Sequence, residues 1–205
     1  LSAGTLNLAA SETIGTLSGS VSVSLQSGSL TLSGTTNASH TGLISGSGGI
    51  VKNVSGAQTF TGNNSFSGGV QLGAGTIFIG SDTALGTGSL IFSSGQISSN
   101  STATRTISNT LKLSGTLGFG DATNSGSLLL SGSGSLVATS TLNTASPVTL
   151  SGALSGAYGL IKGGSSELTL SGTNSFGGPT TISAGTLTLL NGNALSDSMS
   201  VTVNN

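Results

Sequence analysis

The chain repeats itself at long range, and that repetition limits its fold more than any other feature. Sliding the 205 residues by 110 positions brings Lys52, Thr59, Gly62, Asn64, Ser65, Phe66, Ala74, Gly75, Thr76, Ala84 and Leu85 onto Lys162, Thr169, Gly172, Asn174, Ser175, Phe176, Ala184, Gly185, Thr186, Ala194 and Leu195. From Gly42 to Leu85 there are about 17 identities over about 44 aligned positions. A bias toward Gly and Ser supplies some of these matches, but it does not supply the Lys, Asn and Phe coincidences. Apolar exchanges are mild: Ile50 for Leu160, Val51 for Ile161, Phe60 for Leu170, Ile77 for Leu187. A partial third copy opens the chain, where Ala3-Gly4-Thr5-Leu6 aligns with Ala74-Gly75-Thr76-Ile77. The expected organisation is one domain over residues 1–205, with copies at 1–25 (partial), 26–95 and 96–205. Both ends are expected to cut a module, and residues 96–147 are expected to hold an irregular coil or loop.

Within the copies, apolar residues alternate in short bursts such as Val21-Ser22-Val23-Ser24-Leu25, Ile77-Phe78-Ile79, Leu111-Lys112-Leu113, Leu168-Thr169-Leu170 and Val201-Thr202-Val203. Period two is the signature of a strand buried on one face. Thr and Ser fill the outward positions, and Gly-Ser, Gly-Gly and Asn-Gly clusters punctuate the turns. Short strands with one apolar stripe stack as a sandwich, a barrel or a solenoid. The internal repeat selects the solenoid.

Composition removes other classes. Gly, Ser and Thr together form roughly half of the chain, and charged residues are 4% against about 25% in ordinary globular proteins. Helix formers such as Glu, Lys and Arg are scarce, which argues against a helical or α/β enzyme. The four cations, Lys52, Arg105, Lys112 and Lys162, cannot neutralise a run of phosphates, so no nucleic acid is expected as a partner. No apolar run approaches the ~18 residues of a helical membrane span, and no charged leader precedes Lys52, so membrane insertion by this segment is not expected. There is no Cys for a disulfide scaffold or a thiolate zinc site.

The stretch Leu168-Thr-Leu-Ser-Gly-Thr-Asn-Ser-Phe-Gly-Gly-Pro-Thr-Thr-Ile-Ser-Ala-Gly-Thr-Leu-Thr-Leu189 resembles the passenger-associated transport repeat of bacterial autotransporters. Residues 59–80 are similar to it as well, and Ala84-Leu85-Gly86 resembles the small-Leu-Gly step that follows in that family. Tyr is usual in the family where Phe66 and Phe176 stand, and Thr where Pro179 stands. The resemblance implies a right-handed parallel β-helix, exported across the bacterial outer membrane and displayed outside the cell. It implies no catalytic constellation. The translocator barrel of such proteins is not part of this sequence.

The residues suit such a β-helix. Alternating aliphatics fill a narrow interior, and Gly admits positive φ at corners. With about 20–25 residues per turn, about nine rungs are expected. The structural repeat positions are Asn64, Phe66, Gly75 and Thr76, with Asn174, Phe176, Gly185 and Thr186. Asn64 and Asn174 are expected either as left-handed turn residues or as amides bonding the backbone of adjacent rungs. Phe66 and Phe176 are expected inside, near corners.

Little remains from which to build an active site. The acids are Glu12, Asp82, Asp121, Glu167 and Asp197, and paired-carboxylate chemistry needs two that converge. They read as solvated turn residues. His40 has no second His beside it and reads as a strand position. Lys52 and Lys162 read as solvated, with an ion pair from Lys162 to Glu167 as the other option. No metal, cofactor or catalytic residue is expected. Thr186-x-Thr188 fits an ice-binding row locally, but the counterpart Thr76-Ile77-Phe78 breaks it. Sequons at Asn37, Asn53, Asn63 and Asn100 are expected by chance in such a chain. The leading expectation is a non-enzymatic extracellular stalk that supports adhesion or display at a bacterial surface. The alternative is a filament of identical subunits stacked end to end. A polysaccharide- or ice-binding β-helix comes after these. Expected partners are neighbouring coils, identical subunits, or a host surface or glycan.

Overall fold

A stripe of aliphatics three residues long buries little by itself, so each strand needs another directly above and below it. The computed structural model, which describes residues 4–196 and 199–204, supplies this as an all-β solenoid. Strands pair in parallel from turn to turn, and ten of them follow one another along the main sheet, from Glu12–Ile14 to Val201–Val203. There are thus about ten turns, close to the nine expected. Residues Ala3 and Asp197, which entered the sequence reading, lie outside the described residues.

Most turns take 20 residues: Leu30 pairs with Ile50, Ile50 with Val70, Val70 with Leu90. Each turn has three sides. In the turn that begins at Ile50, the first two sides belong to one long strand, Ile50–Phe60, and the third is formed by Asn64–Phe66. The strands Val70–Ile79, Leu90–Ser99, Leu111–Phe119 and Gly134–Thr144 are also long. They outrun the bursts seen in the sequence because the ladder carries on around a corner instead of breaking there. Gly56, Gly75, Gly95 and Gly115 make that corner with φ between +73° and +92°, a region that side chains with a Cβ rarely adopt.

Side chains at alternate positions stack in columns. Ile50, Val70, Leu90 and Leu111 form one, and Leu128, Val148, Leu168 and Leu187 form another. Almost all of these are fully buried, as are Phe60, Phe66, Phe92, Phe119 and Phe176. Phe92 and Phe119, on adjacent turns, meet edge to face at 5.3 Å between ring centroids.

The 110-residue repeat is not a whole number of turns. The column that starts at Ile50 runs through Val70, Leu90, Leu111 and Gly134 to Leu154. Leu154 is the repeat counterpart of Ile44, yet Ile44 lies on a different side, paired beside Val23. The two copies are therefore five turns and one side apart, and the second is rotated by one side about the axis.

The column assignment has a direct test. Leu170 is fully buried within its sheet, whereas Leu187 lies on the last strand of that sheet and is only partly buried. Leu170→Asp is expected to cost more than about 4 kcal/mol, and Leu187→Asp clearly less, in urea unfolding followed by circular dichroism.

Candidate functional site

The repeated residues gather at corners, where a bent backbone turns its polar groups inward and those groups need partners. Lys52 and Lys162 supply some. Both are buried, at 2% and 0% exposure, which corrects the expectation of solvated side chains. Lys52 Nζ donates to the carbonyls of Val54 at 2.9 Å and Ser55 at 3.3 Å. Lys162 Nζ donates to the carbonyls of Gly163 at 2.7 Å, Gly164 at 2.8 Å and Ala184 at 3.0 Å. Lys162 forms no pair with Glu167, whose Oε1 accepts hydrogen bonds from Thr169 and Thr188. The partners of each ammonium are carbonyl dipoles, and burial pushes both lysines below the usual lysine range.

The left-handed glycine of each Ala-Gly-Thr motif sits against that ammonium. A Cβ on Gly75 would lie 2.4 Å from the Val54 carbonyl oxygen and 2.8 Å from Lys52 Nζ. A Cβ on Gly185 would lie 2.5 Å from the Gly164 oxygen and 2.7 Å from Lys162 Nζ. The two repeated features are thus one device, a lysine tying down a corner roofed by glycine. Thr76 follows on a half-buried strand position, and Thr186, on the outermost strand of its sheet, is exposed.

The asparagines bridge three turns. Asn64 Oδ1 accepts the Ile44 N–H at 2.8 Å from one neighbouring turn, and its Nδ2 donates to the Ala84 carbonyl at 2.8 Å on the other. Asn174 repeats this with Leu154 N–H at 2.8 Å and the Ala194 carbonyl at 2.7 Å. No residue other than glycine has positive φ among those described, so of the two expected roles the asparagines take the bridging one. Phe66 and Phe176, two residues on, are fully buried, and Gly86 closes over the Phe66 ring.

Two polar residues with the same kind of role were not singled out from the sequence. Asn109 is 4% exposed and its Nδ2 donates to the carbonyls of Gly86 at 3.1 Å and Gly88 at 2.6 Å. Its 110-residue counterparts fall beyond either end of the chain, so the repeat could not mark it. Gln58 is buried and its Nε2 donates to the Leu17 carbonyl at 2.9 Å. Its counterpart is Leu168, so the comparison of copies hides it.

The acids are dispersed over several turns. Glu12 pairs in register with Leu30 near the N-terminal end and is exposed. Asp82 Oδ1 accepts the Thr106 N–H at 3.0 Å. Desolvation pushes the Asp121 carboxyl up, but hydrogen bonds from Asn124 and Thr123 outweigh it and hold the pKa below the usual value. Among the described residues, no three His, Cys, Asp or Glu gather as a metal site would require.

One corner departs from the 20-residue rule. Ile97 and Phe119 pair 22 residues apart, and Phe119 and Thr144 pair 25 apart. The additional residues fall in Asn100–Thr104 and Gly120–Ser127, inside the 96–147 segment where the repeat fades. The two loops stack: Gly126 N–H donates to the Ser101 carbonyl at 3.0 Å, and Ser98 Oγ to the Asn124 carbonyl at 3.4 Å. Asp82, Arg105 and Asp121 lie in or beside these loops, while Glu12, Lys112 and Glu167 are exposed on other turns.

Residues 50–77 and 160–189 each match the family model described as passenger-associated-transport-repeat, in agreement with the resemblance read from the sequence. Each stretch holds one complete set of lysine, asparagine, phenylalanine and corner glycine. No curated protein and no solved structure matches the chain.

Two substitutions test the corner. Gly75→Ala is expected to destabilise by more than about 2 kcal/mol, whereas Gly15→Ala, with open space around its Cβ, is expected to stay within about 0.5 kcal/mol, by thermal or urea unfolding. Lys162→Met keeps the volume but leaves carbonyls of Gly163, Gly164 and Ala184 without their donor, for an expected loss of about 1–3 kcal/mol. The pH dependence has a definite sign. With the folded-state pKa lowered, the unfolded chain binds more protons just below about pH 10.4, so stability rises as pH climbs toward that value. Lys162→Met is expected to remove its share of that rise.

Proposed function

We propose that this chain, which carries two passenger-associated transport repeats, is a non-enzymatic structural segment of a secreted autotransporter-like protein, projecting or spacing an adhesive or displayed surface outside a bacterial cell. The observation that carries the reading is the use made of the repeated residues. Lys52, Asn64 and Phe66, like Lys162, Asn174 and Phe176, are buried and bond or pack against the chain's own backbone, and Gly75 and Gly185 cover the lysine corners. The repeats therefore build shape and length. The loop-bearing corner at 100–104 and 120–127 is the surface offered to a host component or glycan, since insertions in solenoids collect on the face that makes contacts.

The second reading keeps the fold and makes the chain a filament subunit. It draws on Leu189, Leu190, Val201 and Val203, which are 46–67% exposed on the last turns and would be covered by a further turn, whether from a neighbouring coil or from an identical subunit. Electron microscopy and light scattering of the isolated chain separate the two. Single rods roughly 45–50 Å long, at ~4.8 Å per turn, are expected at all concentrations. Rods that lengthen along the axis as concentration rises would replace the stalk with the filament.

A further inference from the structure

The stalk reading gives no task to His40, the single imidazole in the chain. We infer that His40 is an acid-sensitive latch: when it takes up a proton, the N-terminal turns of the solenoid open while the C-terminal turns stay closed.

The argument starts from where the ring is held. His40 ends the short strand Ala38–His40, inside the solenoid, and is fully buried. Its column neighbours are Gly19 on one side, which has no side chain, and the buried Phe60 on the other. Both ring nitrogens are enclosed and neither makes a hydrogen bond of good geometry, although the Ser18 backbone lies close enough to favour the protonated ring. The backbone there is satisfied without the ring, since the His40 carbonyl accepts the Thr61 N–H at 3.1 Å. An imidazolium would bring a charge with no counter-ion beside it into this buried position.

The neighbouring strands supply no counter-charge. On Ile50–Phe60, which pairs with the histidine strand, Lys52 is already bonded to the carbonyls of Val54 and Ser55, and Gln58 is uncharged and bonded to Leu17. Below, the segment Leu17–Gly19 has no titratable side chain, and Glu12, nearer the N-terminal end, is exposed. Burial outweighs the opposing pull of the Ser18 backbone and holds the ring below the ordinary histidine value of about 6.5. As pH falls through about 6.5, opened turns bind the proton and closed turns do not, so opening becomes easier; above that pH the ring has no effect.

The response is local because a solenoid is held together by contacts between adjacent turns. Its end turns open without the rest. His40 sits near the N-terminal end, and no other histidine lies in the remaining turns.

Being the sole imidazole, His40 gives NMR signals that need no assignment. Its titration midpoint is expected clearly below 6.5. Hydrogen exchange, corrected for the intrinsic pH effect, is expected to show protection of amides in residues 23–60 falling by up to about tenfold per pH unit below about 6.5, with residues 142–170 unchanged. In His40→Leu the N-terminal protection is expected to hold constant from pH 7 to pH 5. A midpoint at or above 6.5, a loss of protection spread evenly along the solenoid, or the same acid response in His40→Leu would each overturn the latch. Should His40→Leu fail to fold, the wild-type titration and exchange profile decide the matter between them.

Discussion

Everything in this molecule hangs on a backbone ladder that runs along the solenoid axis. At the head of one side, Leu30 N–H donates to the Gly49 carbonyl, Ile50 to Gly69, Val70 to Ser89, Leu90 to Thr110, Leu111 to Ser133 and Gly134 to Ala153, all at 2.8–2.9 Å. Each turn is therefore tied mainly to the turn before and the turn after. The ladder stays in register only if every turn returns to the same place, which explains the recurrence of the 20-residue step. It also explains where additional residues go. They are pushed outward at one corner, as at Asn100–Thr104 and Gly120–Ser127, because an insertion within a side would move inward residues to the outside.

The interior is filled with buried aliphatic and aromatic side chains, yet corners bring backbone carbonyls and amides inward. Long polar side chains answer this by bonding to backbone, not to one another. Lys162 serves three carbonyls, Asn64 and Asn174 each join three turns, and Gln58 and Asn109 do similar work without being repeated. Among the described charged residues, two lysines are internal structural groups, Asp82, Arg105 and Asp121 lie at the looped corner, and Glu12, Lys112 and Glu167 are exposed elsewhere. His40 is inside with no counter-charge beside it, and that isolation makes it sensitive to protons.

Particular residues show how far the sequence could be read. The stripes Leu168-Thr169-Leu170 and Val21-Ser22-Val23-Ser24-Leu25 announced inward aliphatics, and Leu168, Leu170, Val23 and Leu25 are buried, but Val21 is exposed and Thr169, expected outward, is covered. The Lys, Asn and Phe coincidences at 110 residues marked the corner device without revealing it. The lysines were expected in solvent because an isolated Lys in a Ser- and Gly-rich stretch carries no local mark of burial. Only the closing of the corner puts the Val54 and Gly163 carbonyls within reach of Nζ. Gln58 and Asn109 escaped for a different reason: the comparison of copies finds shared residues, and neither of these is shared.

From its own residues the chain settles its class, a parallel solenoid with aliphatics inside and glycine at the corners, because period-two patterning and positive-φ positions are local properties. The rotation of the second copy by one side was beyond sequence. It depends on how many residues each turn consumes, and that number is set by corner loops whose lengths have meaning only once adjacent turns are paired. The partners of the buried lysines and the isolation of His40 were likewise decided by tertiary structure: the bend of each lysine's own corner, with Ala184 from the next turn, brings carbonyls to Nζ, and the neighbouring turns bring no counter-charge to the ring.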